Sequence, residues 1–100
     1  MFGLSENTIQ KLRDTFACVS SVEEVIVYGS RARGDYRACS DIDITLRGNS
    51  ITSSDLTKLY FLIDDLLLPY TIDLSVFSEI RNEKLIENIE KEGVQLFSIF

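Results

Sequence analysis

The segment Asp41-Ile42-Asp43-Ile44-Thr45-Leu46 alternates polar and apolar residues without a break. A period of two sends successive side chains to opposite faces of a β-strand. Ile42, Ile44 and Leu46 must therefore be buried while Asp41, Asp43 and Thr45 share the other face. The register is tightly constrained, because a slip of one residue would drive both carboxylates into a core. Gly48-Asn49 ends the run. Thr71 to Phe77 repeats the pattern, with Ile72, Leu74 and Val76 on one side and Thr71, Asp73 and Ser75 on the other. Val25-Ile26-Val27-Tyr28 is β-branched and stopped by Gly29, which reads as a buried strand. Val94 to Phe100 reads as a short terminal strand.

Between these strands the apolar period lengthens to that of a helix. Ser5 is a candidate N-cap, with Leu4 and Ile9 placed as a hydrophobic staple, and Ile9, Leu12, Phe16 and Ala17 predict a helix over 6–18. Ser53 or Ser54 caps a second helix with Asp55 in its first turn. Its inner face is Leu56, Leu59, Tyr60, Ile63 and Leu67, and Pro69 closes the region. A third long helix opens at Ser78, turns Ile80, Leu85, Ile86 and Ile89 inward, and ends at Gly93 as C′ residue. Residues 29–40 are rich in Gly, Ser and Arg and lack any apolar period, so they read as a loop.

One domain over residues 1–100 follows, of α/β (α+β) class, with a single mixed β-sheet of about four strands packed with helices. The connection from 25–28 to 42–46 is too irregular for a crossover helix, which predicts antiparallel neighbours.

Sixteen acidic and ten basic residues give a net charge of −6, which disfavours a general nucleic-acid binder. Histidine is absent, and with it Ser-His-Asp triads and His-containing zinc sites. Cys18 and Cys39 are too few and too far apart for a metal cluster or disulfide scaffold, and Cys18 is expected as a small buried hydrophobe. Glu6, Lys11, Arg13 and Asp14 interrupt any signal-peptide core, and the longest apolar runs fall far short of a membrane span. A cytoplasmic, reduced protein without membrane association is expected.

Asp41, Asp43 and Asp73 all sit on the polar faces of strands. An Asp-x-Asp pair by itself is commonly a solvated strand face. Three converging carboxylates, however, repel and raise one another's pKa unless a cation neutralises them. Hard oxygen ligands on rigid strands suit Mg²⁺, and two such ions can activate an attacking oxygen and stabilise a leaving one. Just upstream, Gly29-Ser30 permits close backbone approach and offers a hydroxyl and amides to phosphate oxygens. It is no Walker A loop, since the Gly-Lys-Ser/Thr ending is missing. Arg31, Arg33 and Arg37 place three of the ten basic residues within seven positions. A basic cluster beside an acidic pair fits an anionic substrate bridged by metal.

Gly29-Ser30, ten residues, then Asp41-Ile42-Asp43, within GSRARGDYRACSDIDI, resembles the G-S-x10-D-x-D signature of the DNA polymerase β-like nucleotidyltransferases. More narrowly it resembles the minimal nucleotidyltransferase (MNT) group. The resemblance implies the nucleotidyltransferase fold. It implies that Gly29 and Ser30 contact a nucleoside triphosphate, ATP or another, and that Asp41 and Asp43 hold metal ions, expected as two Mg²⁺. Asp73 matches the third carboxylate, which would share a metal and help deprotonate the attacking hydroxyl. Arg31 or Arg33 is expected on phosphate and Arg37 in solvent. The implied reaction is in-line attack by a hydroxyl on the α-phosphorus, with pyrophosphate leaving. Larger relatives carry a further domain for the acceptor, whereas minimal members are commonly paired with an all-helical HEPN protein. In several pairs the helical protein is an RNase toxin and the nucleotidyltransferase is an antitoxin that adds AMP to a toxin tyrosine. Phe97, Ile99 and Phe100 form an apolar end open to cover by such a partner or to core packing.

Three readings stand side by side: a Mg²⁺-dependent enzyme acting on a protein acceptor, a non-catalytic nucleotide-binding module that neutralises a helical partner by binding alone, and a nucleotidyltransferase for small molecules or nucleic acid. The triple Asp41, Asp43 and Asp73 favours the first. The missing acceptor domain and negative charge count against the third. Homo-oligomer formation stays open.

Overall fold

In the computed structural model, which describes residues 1–100, the alternating segment forms the middle of a four-stranded mixed sheet. The elements in chain order are α1 (Glu6–Ala17), β1 (Glu24–Tyr28), α2 (Ser30–Arg33), β2 (Ile42–Arg47), α3 (Ser53–Asp65), β3 (Ile72–Val76), a 3-10 turn (Phe77–Glu79), α4 (Glu83–Glu92) and β4 (Val94–Ser98). The strand order is β3-β2-β1-β4. β1 pairs antiparallel with β2 and with β4, and β2 pairs parallel with β3. The parallel pair needs a crossover, which α3 supplies, while the antiparallel β1–β2 pair needs none. The expected mixed sheet and the antiparallel β1–β2 neighbours are what the structure contains.

One sheet face carries the core. Val25, Val27, Ile42, Ile44, Leu46, Ile72, Leu74 and Leu96 meet Leu12 and Phe16 of α1 and Leu59 and Ile63 of α3. Leu12, Phe16, Ile42, Ile44, Leu46 and Leu59 are completely buried, each contributing about 1.5–3 kcal/mol of transfer free energy. Leu4 and Ile9 join the same cluster, and the Ser5 hydroxyl accepts the Thr8 N–H, so the predicted cap stands. On the opposite face α4 lies against β1 through Ile89 and Ile26. A Cβ on Gly93 would meet Ile26 Cγ2 at 2.6 Å, so this glycine serves close packing. Its φ is −64°, not the left-handed value expected of a C′ glycine.

Several boundaries differ from the sequence reading, each for a local reason. α3 is capped by Thr52, one residue earlier than expected: its hydroxyl accepts the Asp55 N–H while the Asp55 carboxylate accepts the Thr52 N–H at 2.9 Å. Asp55 also accepts the Ser21 hydroxyl at 2.8 Å, tying the start of α3 to the segment before β1. These bonds hold its carboxyl below the usual range, the Thr52 backbone bond most of all. α3 stops at Asp65, so Leu67 falls beyond its inner face, at φ 54° and 88% exposed. Tyr60 also lies outside the core. Its hydroxyl accepts the Leu74 N–H at 3.0 Å and so covers a donor on the edge strand β3.

The predicted long helix from Ser78 is a 3-10 turn followed by α4, whose cap is Asn82, leaving Ile80 outside any helix. Cys18, expected inside, is exposed, as is Cys39, and both are free. Cys18 is the C-cap of α1, where the last turn leaves the core. Residues 30–33, expected as loop, form one helical turn closed by Gly34 at φ 92°. No helix is long and apolar enough to cross a membrane.

The Thr52 cap gives the first test. Thr52→Ala is expected to destabilise the fold by about 1 kcal/mol in urea unfolding. Ser53→Ala and Ser54→Ala, which remove no capping bond, should leave the urea midpoint essentially unchanged.

Candidate active site

Strand register assembles the site. The antiparallel pairing sets Tyr28 opposite Asp43, and the parallel pairing sets Asp43 opposite Asp73. Three neighbouring strands, spaced about 4.8 Å apart, thus present Tyr28, Asp43 and Asp73 in one row across the face opposite the core. Asp41 lies two residues before Asp43, just outside β2, and is exposed. Gly29 leaves β1 at φ 74°, and a Cβ there would stand 2.7 Å from Asp43 Oδ2. The backbone at Gly29 therefore runs directly against the carboxylate. Only glycine meets both the positive φ and the missing space.

The row is electrostatically strained. Asp43 is half-buried, and no hydrogen bond to its carboxylate offsets that burial. Burial pushes its pKa up, the charges of Asp73 and Asp41 push the same way, and Arg33 opposes them. The Tyr28 phenol is also raised, by burial first, with Asp43 and Asp73 pushing the same way, against the opposing effect of the nearby Ser75 hydroxyl. No three acidic side chains close into a preformed metal cage. Mg²⁺ does not require one. It typically binds through one or two carboxylates and completes its shell with water and substrate phosphate. The Asp43–Asp73 pair with Asp41 beside it fits such an ion, because a cation relieves both the burial of the Asp43 charge and its repulsion by Asp73 and Asp41.

The two candidate arginines part company. Arg31 is 3% exposed, and its guanidinium donates to the carbonyls of Phe2, Ala38 and Ser40, so backbone occupies donors that a phosphate would need. Arg33 is exposed and spans Asp35 at 3.3 Å and Glu92, at the end of α4, at 3.4 Å, close enough to influence Asp43. Ser30 opens α2 directly after Gly29, and Arg37 is exposed. The site lies on an open face. A cleft of about 340 Å³ lined in part by Glu24, Arg47, Ile89 and Gln95 lies on the same side of the sheet, away from the carboxylates.

Tyr28, Ser75 and Glu92 escaped the sequence reading. The first two were findable in principle: Ser75 shares the parity of Asp73, and an antiparallel partner of Asp43 had to come from the end of the strand at 25–28. Glu92 approaches through the packing of α4, which no local pattern signals.

The raised Asp43 pKa makes a signed prediction. The folded protein holds this proton more tightly than the unfolded chain. Its contribution to stability is full below the ordinary value near 3.8 and is lost as pH rises through the raised folded value. Metal-free Asp43→Asn should therefore melt higher than the unaltered protein at pH 7, with the difference fading toward pH 3. An equal or lower Tm at pH 7 would contradict this account.

A family model, polymerase beta nucleotidyltransferase, matches residues 10–99. None of the curated proteins compared matches the chain. Among solved structures, a toxin-antitoxin with AMP-PNP superposes with a TM-score of 0.70 at 23% identity, over 95% of this chain and 74% of the other. The complex of a tri-AMPylated Shewanella oneidensis HEPN toxin with an MNT antitoxin gives 0.61 at 24% identity, over 98% and 73%. A protein provisionally assigned as a minimal nucleotidyltransferase gives 0.68 at 23%, over 92% and 96%. The glycine held against a carboxylate, the aligned second carboxylate and the family match over residues 10–99 agree, and the chain belongs to the polymerase beta-type nucleotidyltransferase family.

Proposed function

We propose that this nucleotidyltransferase moves AMP from ATP, with Mg²⁺, onto a hydroxyl of a protein acceptor. The acceptor we favour is an all-helical HEPN-type toxin, which gives the chain an antitoxin role. The observation that carries the chemistry is the close approach of Gly29 to Asp43, with Asp73 in register on the next strand. The acceptor assignment draws on the similar complexes, one with AMP-PNP and one with a tri-AMPylated HEPN toxin.

In this reading Asp41, Asp43 and Asp73 hold the cation, which neutralises triphosphate charge when bound. Gly29 lets the backbone approach the triphosphate, and the Ser30 hydroxyl donates to a phosphate oxygen. Arg33 takes the phosphate contact, exchanging its exposed bonds to Asp35 and Glu92 for a stronger anion. Asp73, exposed at the edge strand, accepts the proton of the acceptor hydroxyl. The freed oxygen attacks the α-phosphorus, a new P–O bond forms, the bond to the β-phosphate bridge breaks, and pyrophosphate carries away the electron pair. Positioning and charge neutralisation do most of the catalysis, so the absence of histidine is no obstacle.

The test uses ATP labelled at the α-phosphate, Mg²⁺, the purified protein and a lysate of its source cells. The unaltered protein should label a discrete protein band, identifiable by mass spectrometry. Asp43→Asn should lower labelling by on the order of a hundredfold or more. No label above that control, despite ATP binding and a partner present, would overturn transfer. A non-catalytic module that acts by binding alone would then be the better account.

A further inference from the structure

Arg31 has no place in the transfer chemistry just described, yet it is the only buried charged side chain in the molecule. Burying a guanidinium is costly unless it is well paired, and no carboxylate forms an ion pair with it. Its partners are backbone and aromatic. Nη1 donates to the Phe2 carbonyl at 3.1 Å, and Nη2 donates to Ser40 at 3.0 Å and Ala38 at 3.4 Å. The rings of Tyr36 and Tyr70 lie 4.8 and 4.9 Å from the guanidinium carbon. Only Nε lacks a partner.

These partners are the approaches to the site. Arg31 follows Ser30, Ser40 precedes Asp41, and Tyr70 lies three residues before Asp73. Residues 35–40 contain no helix or strand. Their bonds from Arg37 N–H to Ser40 Oγ and from Ser40 N–H to the Arg37 carbonyl close the segment on itself without fastening it to the domain. Apart from the exposed Arg33–Asp35 pair, its polar attachment to the rest of the chain runs through Arg31. At the other end, the Ile42 N–H donates to the Thr71 carbonyl at 2.9 Å, so a shift at Tyr70 reaches the start of both acidic strands.

We infer that Arg31 is a positioning residue for the divalent cation. Through Ser40 and Tyr70 it sets where Asp41 and Asp73 stand relative to Asp43 and the Gly29-Ser30 turn, and so it sets the affinity of the site for metal. The inference rests on the proposed function. A lysine would keep the charge but lose the planar fork and the two-sided stack.

The test takes Mn²⁺ as probe, with AMP-PNP, and reads free and bound ion by electron paramagnetic resonance, with circular dichroism as the check of fold. Arg31→Lys and Arg31→Gln should bind Mn²⁺ roughly 10- to 100-fold more weakly. Tyr36→Leu, which removes one stacking face and leaves the charge bonded, should shift affinity the same way by less. It decides the matter if the Arg31 variants do not fold. Arg37→Gln should bind as the unaltered protein does. Unchanged Mn²⁺ affinity in a folded Arg31→Lys or Tyr36→Leu, with only Tm lowered, would overturn the inference and leave Arg31 a purely structural residue. Failure of the unaltered protein to bind Mn²⁺ would instead overturn the transfer reading, and this inference with it.

Discussion

The pairing of β1 with β2 is the constraint on which the rest of the molecule depends. It is antiparallel, so the chain leaving β1 at Gly29 must return to the start of β2, and the turn lies over the residues that open that strand. The same register buries Val25, Val27, Ile42, Ile44 and Leu46 on one side and sets Tyr28 opposite Asp43 on the other. Core packing and site geometry are thus two faces of one hydrogen-bonded ladder. Shifting the ladder by one residue would expose the isoleucines and bury the aspartates together.

That coupling explains how a chain of 100 residues holds an unfavourable charge arrangement. Asp43 is half-buried, unbonded and flanked by two further carboxylates, a combination that would not persist on a mobile loop. Here it is carried by a strand whose other face is fixed by completely buried residues, and glycine at 29 admits the backbone without a clash. The strain is local, and the hydrophobic core offsets it. Such storage of unfavourable interactions at a rigid site is a common feature of binding and catalytic centres.

Much of this was legible in the sequence because period-two alternation specifies both the strand and the side its acids face. Asp41-Ile42-Asp43-Ile44 and Ile72-Asp73-Leu74 read correctly for that reason. The motif spacing also led to the family. What stayed hidden depends on contacts between distant segments. Thr52 is the cap because the Asp55 carboxylate reaches back to its N–H, whereas Ser53 and Ser54 looked equivalent. Leu67 has a helical spacing from Ile63, but the helix ends first. Arg31 and Arg33 look alike in the string GSRARG, yet one turn of helix sends the first inward between two tyrosines and the second outward. Neither Tyr36 nor Tyr70 could be tied to Arg31 without the fold.

The central claim is that the Gly29–Asp43–Asp73 row receives a triphosphate together with a cation. Amide NMR shifts report on it directly, with AMP-PNP and Mg²⁺ added singly and then together. The account predicts large, saturable shifts at Gly29, Ser30, Asp43 and Asp73 when both are present, and much smaller ones with nucleotide alone. Shifts confined to another surface, or none at these four residues at millimolar ligand, would contradict it.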